Sequence, residues 1–573
     1  MVLARRWQTL IEIGGIFAIF FIQGGWSAPS VNEPYYLGKA AHFWNHAWAP
    51  GDFFLETADA HTVFYWTFGW LSLWLPLPAL AWVGRLLTWG LLAWAWQRLS
   101  TAVVPRPWYS ILTAGLLVLL VAQFHMAGEW IIGREEDGGG GVEAKGFAYV
   151  LALLALAALV RGAWNRAWLF SGAATSLHVL VGGWTMVAIG WAWLVLGRGN
   201  RPTLRSLTPA LAGAGVLALP GLIPALLLNR GVDHATIDAA NQIYVFDRLG
   251  HHLDFVQIAA AGAEVVLGLS DFVVRFLLLC LFWGLLCWRG GKGVGSLLPG
   301  SQHTERSDFE GQKTPDPFSS VRRLMAFVGG ALLIAALGVA LERLCLNDPA
   351  AAARWLRLYW FRLSDVAVPW GVALVGAWLI AHARHPGGQK TPAPFSSAFS
   401  SVPQSKNRLA GLFGLLVAIL SVGFYLEGRL ERGIAGESAL PDQSPYEEYW
   451  AQVCDWIVQS GKIAPDARFI TPMEARTFKW RTGRAEVVNW KEIPQDARGI
   501  VAWWDRLLAI HASNPSHPEQ GWYHCLAERD PAVLRQLGQR YRADYLLTFA
   551  TPRLKLKRVY VDTDRVYAIY RLD

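Results

Sequence analysis

Apolar runs long enough to cross a bilayer fill most of this chain, and short arginine-bearing loops separate them. A spanning helix needs roughly 20 mostly apolar residues. Runs of that kind fall at 7–25, 79–97, 108–126, 146–161, 167–181, 183–197, 207–228, 262–288, 324–342, 366–383 and 409–427. The pair at 167–197 is short, with Val181-Gly182-Gly183 between its halves, so half-length or tilted helices are expected there. Residues 7–25 read as a retained signal anchor rather than a cleaved signal peptide, because so many spans follow. After residue 428 the pattern changes. Short alternating runs at 467–470, 485–490, 544–549 and 566–572 read as strands, and stretches around 446–460, 499–511 and 531–541 as helices. The predicted fold is a polytopic α-helical membrane protein of about eleven spans, residues 1–428, followed by a small α/β domain, residues 429–573.

Composition agrees with a bilayer protein. Hydrophobic residues make up 53% of the 573 and charged residues 16%, where a soluble domain has about 25% charged. The 31 tryptophans suit a protein with aromatic rings at the water–lipid boundary. The excess of 51 Lys+Arg over 43 Asp+Glu reads as topology signal rather than as a nucleic-acid surface. Arg5 and Arg6 put the N-terminus in the cytoplasm, and the arginine clusters at 98–106, 161–166, 198–205, 289–323 and 384–408 then fall on the same side. Residues 62–76 are apolar enough to cross, but a crossing there would invert every later loop. They are therefore expected to be re-entrant or interfacial, and the C-terminal domain extracytoplasmic. Cys454 and Cys525 both lie in that domain, where a disulfide and two separate thiols are equally compatible with the sequence. The decapeptides 311–320 and 388–397 match at nine of ten positions and read as flexible inner-loop insertions.

Candidate chemistry gathers in the loops predicted to lie outside. The first (26–78) carries Glu33, Asp52, Glu56 and Asp59 with His42, His46 and His61; the second (127–145) carries Glu129, Arg134, Glu135, Glu136, Asp137, Glu143 and Lys145. Carboxylates over one cavity can serve as a general base and as hard ligands for a divalent cation such as Mg or Mn. His178 sits between the two short spans. Arg354, Arg357 and Arg362, interleaved with Trp355, Tyr359 and Trp360, form a basic aromatic collar suited to phosphate oxygens. Arg85 lies in a span without a sequence-local partner, and Asp271 and Arg275 are four apart on one helix face. No Walker loop, dinucleotide glycine fingerprint, HExxH or GxSxG is found in the chain.

NEPYYLGKA (32–40) resembles the start of the first outer loop in the type-C (GT-C) membrane glycosyltransferases. Glu33 and Tyr36 match that pattern, while Asn32 stands where an aspartate is often catalytic. GREED (133–137) occupies the place of the second-loop acidic motif without a clean Asp-x-Asp. The resemblance implies a glycosyltransferase of the plasma (inner) membrane that uses a polyprenyl-phosphate-linked sugar at the outer face. It implies catalytic roles for Glu33, Asp52 or Asp59, and metal ligation by Glu135, Glu136 or Asp137. Substrate contacts would come from His61, His178, Arg354, Arg357, Tyr359 and Arg362. Two other readings fit the sequence: a transporter or flippase with Arg85, Asp271 and Arg275 along its path, and a non-catalytic protein that binds through its C-terminal domain.

Overall fold

The computed structural model describes residues 2–25, 27–128, 130, 132, 141–260, 265–266, 269–295, 317–382 and 446–573. The expected span at 409–427, the second-loop residues Glu129 and Arg134 to Asp137, and nearly all of the repeated decapeptides lie outside them.

The chain is mostly helical up to residue 382. Among the described residues six helices are long and apolar enough to cross a membrane: Arg5–Gly24, Leu77–Val103, Leu204–Leu227, Asp271–Arg289, Phe318–Leu344 and Arg362–His382. Tyr109–Gln123, Ala144–Val160 and Val179–Val195 are shorter and equally apolar. Trp164–Leu177 completes the set, so each of the ten expected runs within the described part coincides with a helix. Two details differ. Within the run at 262–288 the described helix begins at Asp271, and Val265–Val266 pairs antiparallel with Leu269–Ser270 before it. The break inside 167–197 falls at His178 and not at Val181–Gly183, which lie within the second helix. Gly182 is needed there for packing: a Cβ would meet the Thr175 backbone nitrogen at 2.1 Å. Thr62–Thr67 and Gly69–Leu73 form two helical pieces of six and five residues, too short to cross.

The C-terminal domain is a three-layer α/β sandwich. Its sheet runs in the order Ala485–Glu486, Arg468–Ile470, Tyr545–Phe549, Tyr567–Arg571, Arg558–Val561. The first three strands are parallel and the last two antiparallel to their neighbours. Alternation along each strand divides the side chains between two cores. Ile470, Leu546, Ala568 and Tyr570 pack with helices Ala497–His511 and Pro531–Tyr541. Phe469, Leu547, Tyr567 and Ile569 pack on the other face with Glu447–Gln459 and Phe478–Thr482. Cys454 belongs to one core and Cys525 to the other, and both are free thiols, so the disulfide alternative is excluded.

The two parts are built onto each other. Ala240 and Ile243, from the segment after Leu227, are buried in the core beside Trp503 and Leu507. Arg468 donates to the Gly51 carbonyl at 2.6 Å, the Glu486 amide to Asp52 at 2.9 Å, and the Ala497 amide to Asn229 at 2.8 Å. The first long loop and the segment after Leu227 thus clamp the C-terminal domain over one end of the helix bundle.

Candidate functional site

A cavity of about 560 Å³ lies beneath that clamp. Its walls come from helix ends, loop corners and one strap of the C-terminal domain. Helices Glu33–Trp44, Ala144–Val160, Val179–Val195 and Arg362–His382 begin at it, presenting Tyr35 and Tyr36, Lys145, Val179 and Leu180, and Arg362. Trp164–Leu177 and Leu204–Leu227 end at it. Four of the helix ends at the cavity are N-termini, which carry partial positive charge.

Side-chain charge points the same way. Lys145, Arg248, Arg357, Arg362 and Lys491 line the cavity, and among the described residues Glu143 is the one carboxylate that does. Glu143 is itself 3.5 Å from the Lys145 ammonium and accepts from Asn32 at 3.5 Å. Apolar groups occupy another part of the wall: Leu177, Val179, Leu180, Ala225, Leu228 and Ile237. One anionic group and one apolar group can be held at once.

The cations are positioned by specific partners. Arg357 donates to the Asn241 side chain and to the Gln495 carbonyl, each at 2.7 Å. Arg362 lies 3.8 Å from the centre of the Tyr359 ring and 3.2 Å from His178 Nε2. The Tyr359 and Tyr244 hydroxyls meet at 3.1 Å. Tyr359 has φ +54°, a conformation uncommon for a side chain of its size, and it turns the chain between Arg357 and Arg362 so that both reach the cavity. Arg248 donates from Nε to the Trp490 carbonyl at 3.0 Å.

His61 has a carboxylate behind it. Asp59 accepts from His61 Nδ1 at 2.9 Å, from the His61 amide at 2.7 Å and from the Tyr65 hydroxyl at 2.9 Å. Burial alone would push the Asp59 carboxyl up, but His61, with Lys39 3.9 Å away, outweighs it and brings the pKa down to about 2. An ionised Asp59 requires the proton on His61 Nδ1. That leaves Nε2 as the basic nitrogen of a residue that lines the cavity. Gln495 lies against the pair: its side-chain oxygen accepts from the Ala60 amide at 3.0 Å, while its side-chain nitrogen, a donor like the protonated Nδ1, approaches that atom to 2.8 Å without a hydrogen bond to it in this tautomer.

The structure brings together His61, His178, Arg357, Tyr359 and Arg362 of the sequence candidates. Arg354 does not join them; it pairs with Asp238 at 3.3 Å and is about half exposed. Glu33 and Asp52 are buried away from the cavity lining. Glu33 takes two 2.7 Å bonds from Arg85 and further ones from the Ser30 and Val142 amides, which gives Arg85 the partner that its own sequence neighbourhood lacks. Asp52 accepts from the Leu55 and Glu486 amides and lies 3.2 Å from the Lys479 ammonium. Both carboxylates are committed to holding loops in place. Asp271 and Arg275 pair at 3.0 Å, the self-neutralising arrangement their spacing suggests. Glu135, Glu136 and Asp137 lie outside the described residues, within which no three His, Cys, Asp or Glu side chains converge on a metal-sized site.

Sequence reasoning missed Arg248, Lys491 and Gln495. Lys491 and Gln495 sit between regular elements, and Arg248 ends the π-helix Ile243–Arg248. Lys491 and Gln495 carried a usable signal, since Trp490 and Pro494 interrupt an otherwise strand-like run.

Residues 448–510 match the family model of a domain of unknown function (DUF6798). The match covers the N-terminal half of the C-terminal domain, including Lys479, Glu486, Lys491 and Gln495. No curated protein and no solved structure matches the chain.

Proposed function

We propose that this protein is a membrane glycosyltransferase of GT-C type, drawing a sugar from a polyprenyl-phosphate donor at the outer face of the plasma membrane. The observation that carries the reading is the cavity: five cations against one described carboxylate, beside an apolar wall, at the end of the helix bundle. That arrangement suits a phosphate ester with a hydrocarbon tail. Arg357, Arg362, Lys145 and Arg248 hold the phosphate. His61 Nε2, its ring oriented by Asp59, takes the proton of an acceptor hydroxyl; the hydroxyl oxygen bonds to the sugar's anomeric carbon, and the bond to the phosphate breaks. The leaving phosphate stays on the arginines. Asp59 thus keeps a catalytic part in the reading, as the group that sets the tautomer of His61. A divalent cation, if the reaction uses one, has Glu135, Glu136 and Asp137 as its candidate ligands, and no step above runs through it.

The transport reading draws on Arg85, Asp271 and Arg275. Each has an ion-pair partner, and none lines the cavity. The test is mass spectrometry of lipid-linked sugars and surface glycans in cells carrying the wild-type chain, no chain, or Arg362→Met. The expected result is a glycan lacking a sugar and an accumulated lipid-linked donor in the last two. Identical glycans and donors in all three would overturn the reading.

A further inference from the structure

The strap Trp490–Gln495 is held at both ends. Arg248 holds the Trp490 carbonyl, and the Trp490 amide reaches the Met473 carbonyl at 2.8 Å. At the other end Gln495 engages Arg357 and Ala60 and lies against His61. Between them, Glu492 turns inward to a buried cluster in which the Lys479 ammonium meets Asp52 at 3.2 Å, Glu486 at 2.8 Å and Glu492 itself. Lys491 turns the opposite way, into the cavity.

Its surroundings are unusual for an ammonium. Arg248, Lys145 and Glu143 line the same cavity; the charges of Arg248, Arg476 and Lys145 disfavour its protonated form and that of Glu143 favours it. Of these, Arg476 already pairs with Glu474 at 3.2 Å and Glu143 with Lys145. Among the described residues the Lys491 ammonium meets no hydrogen-bond or ion-pair partner. An unpaired, half-buried ammonium among other cations is costly, and it is tolerated where a ligand supplies the missing charge.

We propose that Lys491 is a ligand-binding residue, by which the C-terminal domain completes a phosphate-ester site whose other half is Lys145, Arg248, Arg357 and Arg362. The proposal rests on the reading of the cavity given above and assigns a task to the domain of unknown function: it is the closing half of the binding site. Burial, reinforced by the charges of Arg248 and Arg476, pulls the Lys491 pKa down to about 7. An arriving phosphate dianion reverses that shift, so binding at pH 8 draws in close to one proton, about 0.9 from that pKa. The proton goes to the Lys491 amine, and no covalent bond changes.

The probe is farnesyl phosphate, titrated calorimetrically into the full chain in detergent micelles at pH 8, in two buffers of different ionisation heat. Expected is proton uptake by the wild-type protein, and about tenfold weaker binding without that uptake for Lys491→Met. Lys491→Arg, charged at every pH, should restore affinity but not uptake. Unchanged affinity and uptake in Lys491→Met, alongside lost binding in Arg362→Met, would overturn this proposal and leave the cavity reading standing. Weak binding in Lys491→Met with uptake retained, or with no rescue by arginine, would make the lysine merely structural and also overturn it. Failure of the wild-type chain to bind farnesyl phosphate would overturn both.

Discussion

Asp59 accepts the Nδ1 proton of His61 at 2.9 Å, fixing which imidazole nitrogen is basic on a residue that lines a cation-rich cavity. If His61 is the base that deprotonates the acceptor, His61→Gln should lower sugar transfer by about 100-fold or more. Asp59→Asn should cost less, because the imidazole remains with its tautomer unspecified. Transfer measured in isolated membranes at matched protein levels checks this; equal activity in both variants and wild type would remove the dyad from the mechanism.

The same pair links stability to pH. The Asp59 carboxyl titrates near 2 in the folded protein against 3.8 ordinarily, so its contribution is present above about pH 4 and lost as pH falls toward 2. The magnitude is about 2 kcal/mol. Thermal unfolding in detergent at pH 3 and pH 5 should therefore show a smaller difference for Asp59→Asn than for wild type.

Glu492 bends stability the other way. Burial, opposed by Lys479 and reinforced by Glu486 and Asp52, raises its carboxyl to about 8, and its Oε1 meets no partner. The folded state then holds more protons than the unfolded chain between about pH 4.5 and 8, so this group's contribution fades as pH rises through that window. Glu492→Gln cannot ionise and should unfold at a higher temperature than wild type at pH 8.5, with the gap closing by pH 5. Lys491, with its pKa lowered, pulls oppositely in both proteins, so the difference between the two curves is the quantity to follow.

Glu33 and Arg85 form a fully buried, two-pronged ion pair joining the first long loop to the helix Leu77–Val103. Removing one partner leaves an uncompensated charge, so Glu33→Gln should destabilise by about 3–5 kcal/mol. Glu33→Gln with Arg85→Met should be less damaging than the single change. A single variant as stable as wild type would contradict the structural role assigned to Glu33.

Much of this architecture was legible in the sequence, because apolar runs and period-2 alternation report burial directly. Ten expected helices and four of the five C-terminal strands lie where the pattern placed them, although Ala485–Glu486 is shorter than its apolar run. The helix break was misplaced because Val181-Gly182-Gly183 looks like a hinge, whereas Gly182 serves close packing against Thr175 and the chain bends at His178. Strand Arg558–Val561 was missed because it is an edge strand with no fully buried residue to mark an apolar face. For the site, the arginine collar and His61 stood out by residue type. What sequence spacing could not show is which carboxylates are already paired: Glu33 finds Arg85, and Asp52 finds Lys479, across separations of 52 and 427 positions. The neighbours of Lys491 were hidden for the same reason, since only the folded chain brings it to the cavity that Arg248 and Lys145 line.

A phosphate-bearing lipid in the cavity under the C-terminal domain is what the proposed function requires. Native mass spectrometry of the full chain purified in mild detergent detects it. Expected is a retained lipid whose fragmentation yields a phosphate ion, and its loss from a variant carrying both Arg357→Met and Arg362→Met. A wild-type chain free of any phosphate-bearing lipid, or one retained equally by the double variant, would contradict the proposed function.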